Sequence, residues 1–209
     1  YSQDDIFFHP GWLENSLEIL ETFPDVGFVT GCPVRQSYDT EYSQSAAAIP
    51  AKHAHVAVHG DRWRPEFDTL YAESTGEPPG EYLRRNEDKG VPLYEISGVE
   101  AFPVGAHFQF VIRKSIAMQT LPFPFTGNTM GGSLNPEGLK FTDIFDAVLD
   151  RQGYAKYSTP QIFTEHMGNV LSQRVRELWA GIEGADKLRT SQPVGLTTWQ
   201  RLVVLAFKI

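Results

Sequence analysis

The residues whose types and spacing are most suited to chemistry begin with two adjacent carboxylates, Asp4 and Asp5, directly before the apolar residues 6–8. This order predicts a strand end that opens onto a polar site. Carboxylate oxygens are preferred ligands of hard divalent cations, and such a cation stabilises a departing diphosphate. Adjacent acids also occur in ordinary surface turns, so the pair alone leaves both a metal loop and a solvated turn open.

A second group of acids lies in the segment "FTDIFDAVLDRQGY". Asp143, Asp146 and Asp150 stand at i, i+3 and i+7, so in a helix they share one face. For Asp150 we expect a solvated polar position. Asp143 would lie in the first helical turn, directly after a long Gly/Pro/Asn loop, where an acid can meet a ligand held by that loop. This placement predicts a general base that acts on a sugar hydroxyl or another hydroxyl.

Histidines provide two further candidates. His166, in "TEHMGN", closes a predicted strand and is followed by Gly168, which permits a sharp turn; it is a candidate contact for a metal or a phosphate. In "KHAHVAVHGD", His53, His55 and His59 alternate so that a strand would place all three on one face. Because zinc accepts three histidines, a zinc site is an open alternative there.

Composition excludes several classes of function. A net charge of −8 disfavours nucleic acid and anionic membranes as partners, because both require a basic face. The single cysteine, Cys32, cannot form an internal disulfide, which indicates a reducing compartment such as the cytoplasm. No apolar run approaches the ~20 residues that a membrane-spanning helix needs. Peripheral association with the inner face of a membrane stays open.

The elements that would position these residues alternate between strands and helices, which predicts an α/β fold. Residues 1–35 contain the acidic loop, a helix over residues 10–21 and a short buried strand that ends at Gly31. Residues 36–97 have a looser, Pro/Gly-rich pattern and are interpreted as an insertion within one domain. Residues 98–169 contain an apolar strand, the Gly/Pro/Asn loop, the acidic helix stopped by Gly153 and a second strand. The pattern of residues 170–209 predicts C-terminal helices.

The order of the segments is more specific than any one of them. "QDDIFFHPGWL", "VGFVTG", "GAHFQFVIRKS", a glycine-bearing loop, "TDIFDAVLDRQGY" and "EHMGN" follow one another. In this order the chain resembles the catalytic half of the inverting, GT-A-type nucleotide-sugar glycosyltransferases, the large bacterial family-two-like group. The resemblance covers residues 1–31 and 105–169.

The resemblance implies roles for individual residues. Asp5 matches the metal-binding aspartate of the family's D-x-D loop, with Mn²⁺ or Mg²⁺ as the cofactor, and His166 matches the histidine that approaches the metal and the diphosphate. Asp4 and Gln3 match positions that contact the nucleotide sugar, although Gln3 replaces an aspartate. Asp143 matches the general base of an E-D pair in which Thr142 replaces the glutamate, and Asp146 is the alternative if the register differs.

The implied reaction is transfer of a sugar from a nucleotide-sugar donor to the hydroxyl of a glycan or another acceptor, with inversion. The resemblance also implies a GT-A-like, Rossmann-like fold whose N-terminal nucleotide-binding half precedes Tyr1, so we expect the isolated chain to be inactive. Two alternatives stay open: a degenerate transferase that binds a glycan without catalysis, and a metal-dependent hydrolase that uses the histidines at 53, 55 and 59.

Overall fold

The main sheet is built around β2 (Val26–Thr30), whose five residues are all buried. β2 pairs in parallel with β7 (Ala155–Ser158) and antiparallel with β6 (Val111–Ile112), which gives the strand order β6-β2-β7. A strand covered on both faces has a nearly continuous apolar sequence, as "VGFVT" does. The predicted buried strand that ends before Gly31 is therefore confirmed.

Two further sheets complete the strands of the described residues. β1 (Ile6–Phe8) pairs antiparallel with β8 (Thr164–His166). The other sheet has three antiparallel strands, namely β3 (Ala57–Asp61), β4 (Pro92–Ile96) and β5 (Val99–Ala101). The chain is thus mixed α/β, as predicted.

Seven α-helices are present in the described residues. They are α1 (Trp12–Thr22), α2 (Gln44–Lys52), α3 (Pro65–Thr75), α4 (Pro79–Asn86), α5 (Lys114–Thr120), α6 (Phe141–Arg151) and α7 (Gln173–Ala180). The predictions of α1 and α6 are confirmed. Gly153 has φ +81°, in the left-handed region that commonly ends a helix, as expected. Phe145 and Leu149 of α6 pack against Phe28 of β2.

The apolar strand and the short strand predicted in residues 98–169 are each divided in two. The predicted apolar strand around residues 98–112 consists of β5 and β6. Between them Gly105 lies so close to β2 that a Cβ there would stand 2.7 Å from Thr30 Cγ2. The strand predicted over residues 155–166 is divided into β7 and β8 around Pro160, which has no N–H to donate to a ladder. After this break the chain leaves the main sheet and joins β1.

Residues 36–97, whose looser pattern is interpreted as an insertion, contain regular elements, namely α2, β3, α3, α4 and β4. The Pro/Gly-rich excursion marks helix boundaries: Gly76 ends α3 with φ +75°, and Pro79 stands in the first turn of α4. Phe67 of α3 and Tyr82 of α4 are fully buried. A few buried apolar residues therefore anchor α3 and α4, which are otherwise largely polar.

The computed structural model describes residues 1–3, 5–38, 40, 43–120, 141–167 and 173–180. It divides into a unit that spans Tyr1–Leu171 and a unit that spans Ser172–Ile209; the described element of the second unit is α7. The predicted Gly/Pro/Asn loop at residues 121–140 and the predicted last helix lie outside the described residues. In the described part of the chain, no helix has the length and apolar character needed to cross a bilayer.

Candidate functional site

The pairing of β1 with β8 brings together the two residues predicted to bind metal. Ile6 lies opposite His166, and the N–H of Met167 donates a hydrogen bond to the carbonyl of Asp5 at 2.8 Å. The Asp5 Oδ2 and His166 Nε2 atoms lie 3.1 Å apart. The Asp5 side chain is 40% exposed and that of His166 is 19% exposed, so an ion can reach the pair from solvent.

The hydrogen bond made by the second ring nitrogen of His166 indicates which species can lie between the side chains of His166 and Asp5. His166 Nδ1 lies 3.3 Å from the carbonyl oxygen of Ser74, near the end of α3. A carbonyl only accepts, so Nδ1 carries a proton, and in the neutral ring Nε2 is then an acceptor. Two acceptors at this separation require a cation between them, either a proton or a metal ion. A backbone carbonyl on the outer nitrogen is the usual support of a metal-binding histidine.

The donor set suits a small divalent cation. Two cis ligands of an octahedral ion, each at about 2.1 Å, lie about 3.0 Å from each other, close to the separation of Asp5 and His166. Mg²⁺ is usually held by one or two protein ligands together with substrate phosphates and water. Among the described residues, no group of three or more His, Cys, Asp or Glu side chains is placed to hold a metal. Asp5 and His166 would therefore provide part of a shell that a diphosphate completes.

The other residues of the predicted acidic loop are only partly described. Asp4 lies outside the described residues. Gln3 is exposed, and its backbone N–H donates to the carbonyl of Phe108 at 2.8 Å. The Phe108 ring in turn lies 5.5 Å from the His166 ring, centroid to centroid. The start of the chain is thereby joined to the segment before β6, beside the candidate metal pair.

A buried pair that the sequence analysis missed supports this arrangement. His9 Nε2 and Glu165 Oε1 lie 2.6 Å apart, and both side chains are buried. His9 follows β1, and Glu165 precedes His166 in β8. The pair therefore joins the two strands that carry the candidate metal ligands. The signal in the sequence was the acid inside the short strand "TEH", since a buried carboxylate requires a partner.

The structure distinguishes the acids of α6 from one another. The backbone of Asp143 belongs to the first turn of α6, as predicted, while its side chain lies outside the described part of the chain. Asp146, the alternative base, is buried. Its Oδ1 accepts a hydrogen bond from His107 Nε2 at 2.7 Å, and its Oδ2 accepts one from Lys156 Nζ at 2.5 Å.

These bonds make Asp146 a poor proton acceptor. Burial by itself raises the pKa of this carboxyl, but the His107 hydrogen bond and charge, together with Lys156, outweigh it and hold the pKa below its usual value. Both oxygens are already occupied by cationic or donor groups. The ionised form contributes to stability above the unfolded-state pKa, and this contribution is lost as the pH falls through the lower folded-state pKa. The geometry therefore disfavours Asp146 as the base.

Asp150 is not the merely solvated residue that the sequence predicts. Its Oδ1 accepts a hydrogen bond from the backbone N–H of Ser45 at 2.6 Å, and its carbonyl accepts one from Ser45 Oγ at 2.8 Å. Ser45 lies in the first turn of α2, whose N–H groups have no partner within the helix. Asp150 therefore caps α2 from a distant part of the sequence.

We expect Asp150→Ala to lower the free energy of unfolding by about 1 kcal/mol, the usual loss for a helix cap. Asp150→Asn keeps an acceptor oxygen and should lose only a small part of this. Urea denaturation of the wild type and the two variants measures the difference. Equal stability of the alanine variant and the wild type would show that the cap contributes nothing.

The three-histidine zinc site is not formed. His53 ends α2 and lies 3.0 Å from Asp25, His55 lies in the following turn, and His59 in β3 lies 2.8 Å from Glu95. The expectation that one strand presents all three on one face is wrong, because α2 extends through Lys52 and only His59 belongs to a strand. Each of the two outer histidines has its own carboxylate partner. The hydrolase alternative loses its proposed metal centre.

Comparison of this chain with models of protein families, with curated proteins and with solved structures gave no significant match.

Proposed function

We propose that this chain is the catalytic part of an inverting glycosyltransferase that uses a nucleotide-sugar donor and a divalent cation. The observation that carries the proposal is the Asp5–His166 pair. The sequence analysis assigned both residues to one metal site although they lie at opposite ends of the first unit, and their side chains are 3.1 Å apart.

The arrangement of the main sheet also supports the proposal. β2 and β7 are parallel, and α6, which precedes β7, packs on β2 through Phe145 and Leu149. Parallel strands with a helix on their face are the repeating arrangement of Rossmann-like folds, of which the proposed GT-A fold is one. This arrangement places the helix that carries Asp143 against the sheet.

In the proposed reaction, Asp143 accepts the proton of the acceptor hydroxyl as its oxygen attacks the anomeric carbon of the donor sugar. The new carbon–oxygen bond forms on the face opposite the bond to the diphosphate. That bond breaks, and its electron pair leaves with the nucleoside diphosphate. Asp5 and His166 would hold Mn²⁺ or Mg²⁺, which supplies charge neutralisation for the leaving group.

Removal of the metal tests the proposal in the full-length protein. UDP-glucose, UDP-N-acetylglucosamine and GDP-mannose are offered with a mixture of glycan acceptors, and release of nucleoside diphosphate is measured. We expect release with one donor class, its loss on dialysis against EDTA, and its return when Mn²⁺ or Mg²⁺ is added. Calcium serves as the control ion, because its longer bonds, 2.3–2.6 Å, suit this spacing less well.

Two results would contradict the proposal. Release of nucleoside diphosphate that EDTA does not change would contradict the proposed metal site. Absence of release with every donor, together with retained binding of the glycans, would favour the degenerate glycan-binding protein, which the replacements at Gln3 and Thr142 keep as the second candidate.

A further inference from the structure

A polar cluster formed by the buried residues Asp146 and Lys156 and the half-buried His107 joins helix α6 to the main sheet and its flanking segment. Asp146 lies three residues after Asp143, about 4.5 Å along the helix axis. Its two carboxylate oxygens bond to two different parts of the chain, His107 in the segment before β6 and Lys156 in β7. The cluster therefore joins α6 to β7, which is next to β2, and to the segment that leads into β6, the strand on the other side of β2.

The cluster differs in kind from the apolar contacts of the same helix. Phe145 packs on Phe28 and Phe110, with ring centroids 5.8 and 5.4 Å apart. Apolar burial has little directional preference, so these contacts tolerate a small rotation or shift of the helix. Two short hydrogen bonds to the two oxygens of the Asp146 carboxylate do not tolerate such a rotation or shift. They fix the rotation of α6 and its position along the sheet.

Stability alone gives little reason for such a cluster. Buried ion pairs often contribute no more to stability than apolar residues of the same volume, because desolvation offsets the attraction between the charges. An alternative apolar residue at position 146 would extend the stripe formed by Phe145 and Leu149. The benefit of the cluster therefore lies in the geometry that it imposes on α6.

We infer that Asp146, His107 and Lys156 are positioning residues that set the first turn of α6, and with it Asp143, for proton transfer. The inference rests on the proposed function. It assigns no chemical step to Asp146. Asp143 remains the residue that accepts the proton, and the cluster determines where it stands relative to the acceptor hydroxyl.

The test measures kcat and KM for the donor sugar, and the dependence of kcat on pH, in the full-length protein. Misplacement of a catalytic group costs up to about a hundredfold in rate. We expect Asp146→Asn and Lys156→Met to lower kcat between about tenfold and a hundredfold, with little change in KM. Lys156→Arg, which keeps the cation, should retain most of the rate. The acidic limb of the pH profile should persist in all these variants, because the base is still present.

Matched controls and a milder variant make the result decisive. Asp88→Asn and Lys52→Met remove the same charges from exposed positions and should leave kcat unchanged. If Asp146→Asn does not fold, His107→Leu, which has no donor, loses one bond of the cluster and keeps the Lys156–Asp146 pair. Turnover is expressed per donor-binding site, counted by calorimetry, so that unfolded protein does not lower the apparent kcat.

The outcomes separate the inference from the proposed function. Wild-type kcat per site in Asp146→Asn, or in His107→Leu if that is the variant that folds, would overturn the inference while the transferase proposal stands. Loss of the acidic limb in Asp146→Asn would also overturn it, because Asp146 would then be the base. Absence of any turnover by the wild-type protein would overturn both.

Discussion

Asp5→Ala should abolish divalent-metal binding and, with it, metal-dependent turnover by the full-length protein. The Asp5 carboxylate and His166 Nε2 lie 3.1 Å apart, so either side chain alone leaves the ion with a single described protein ligand. The alanine variant also leaves His166 without its carboxylate neighbour. Because Asp5 is 40% exposed, we expect this loss of function with little loss of stability.

Paramagnetic broadening provides a direct measurement. Mn²⁺ at substoichiometric concentration should broaden the imidazole resonances of His166 in the wild type and leave those of His53 and His59 sharp. In Asp5→Ala the broadening should vanish, and in His166→Gln the turnover should fall in parallel. Asp88→Ala is the matched control, since it removes an exposed aspartate elsewhere in the chain. Asp4→Ala should weaken turnover less than Asp5→Ala does.

Absence of broadening at His166 in the wild type, together with unaltered turnover in Asp5→Ala, would show that Asp5 and His166 form an ordinary ion pair. The proton shared between the two side chains would then be the cation that their geometry requires, and the metal assignment would be lost. Equal tolerance of alanine at positions 4 and 5 would lead to the same conclusion.

The elements that the sequence predicted are those with local signals. Helix α6 has an apolar stripe at helical spacing and a glycine stop, and β2 is a short apolar run between turn signals. Pairing partners have no such signal. The bonds of Asp146 to His107 and of Asp150 to Ser45 join positions far apart in sequence. Whether an acid on a helix is solvated or buried depends on what packs against it.

The segment at residues 36–97 shows a different limit. Proline and glycine there were interpreted as loop residues, whereas Pro79 begins a helix and Gly76 ends one. Their positions relative to the fully buried Phe67 and Tyr82 are those of helix boundaries. The buried apolar residues are too few, however, to produce a clear helical periodicity in the sequence. This segment is relevant to the site as well, because α3 provides the carbonyl of Ser74 that orients His166.

The order of motifs along the chain predicts Asp5 and His166 as a metal pair. It does not predict the residues that hold the pair in place. The sequence indicated that Asp5 and His166 serve one site but not that β1 and β8 are adjacent. It also gave no indication of the His9–Glu165 bond, because a hydrogen bond between two buried polar residues depends on the register of the strands that carry them. Candidate metal ligands can be predicted from residue type and motif order, whereas the residues that support them depend on tertiary packing.

Asp143→Asn should lower kcat by about a hundredfold or more while donor binding survives, which is the usual scale for the loss of a positioned base. The amide keeps the shape and polarity of the carboxylate but cannot accept a proton at neutral pH. Asp143 lies in the first turn of α6, one helical turn before the anchored Asp146. The acidic limb of the kcat–pH profile should disappear in this variant, since the group that must ionise is gone.

The same substitution at the two later acids of α6 identifies which carboxylate accepts the proton. Asp146→Asn should lose less than Asp143→Asn and keep the acidic limb, because it removes a support and not the base. Asp150→Asn should leave kcat unchanged, since its carboxylate caps α2 through Ser45. Turnover and nucleotide-sugar affinity are measured for all three variants. Normal turnover of Asp143→Asn with an inactive Asp146→Asn would move the base by one turn and leave the mechanism in place. Activity in all three would exclude this helix as the source of the base, because no other acid of α6 remains to accept the proton.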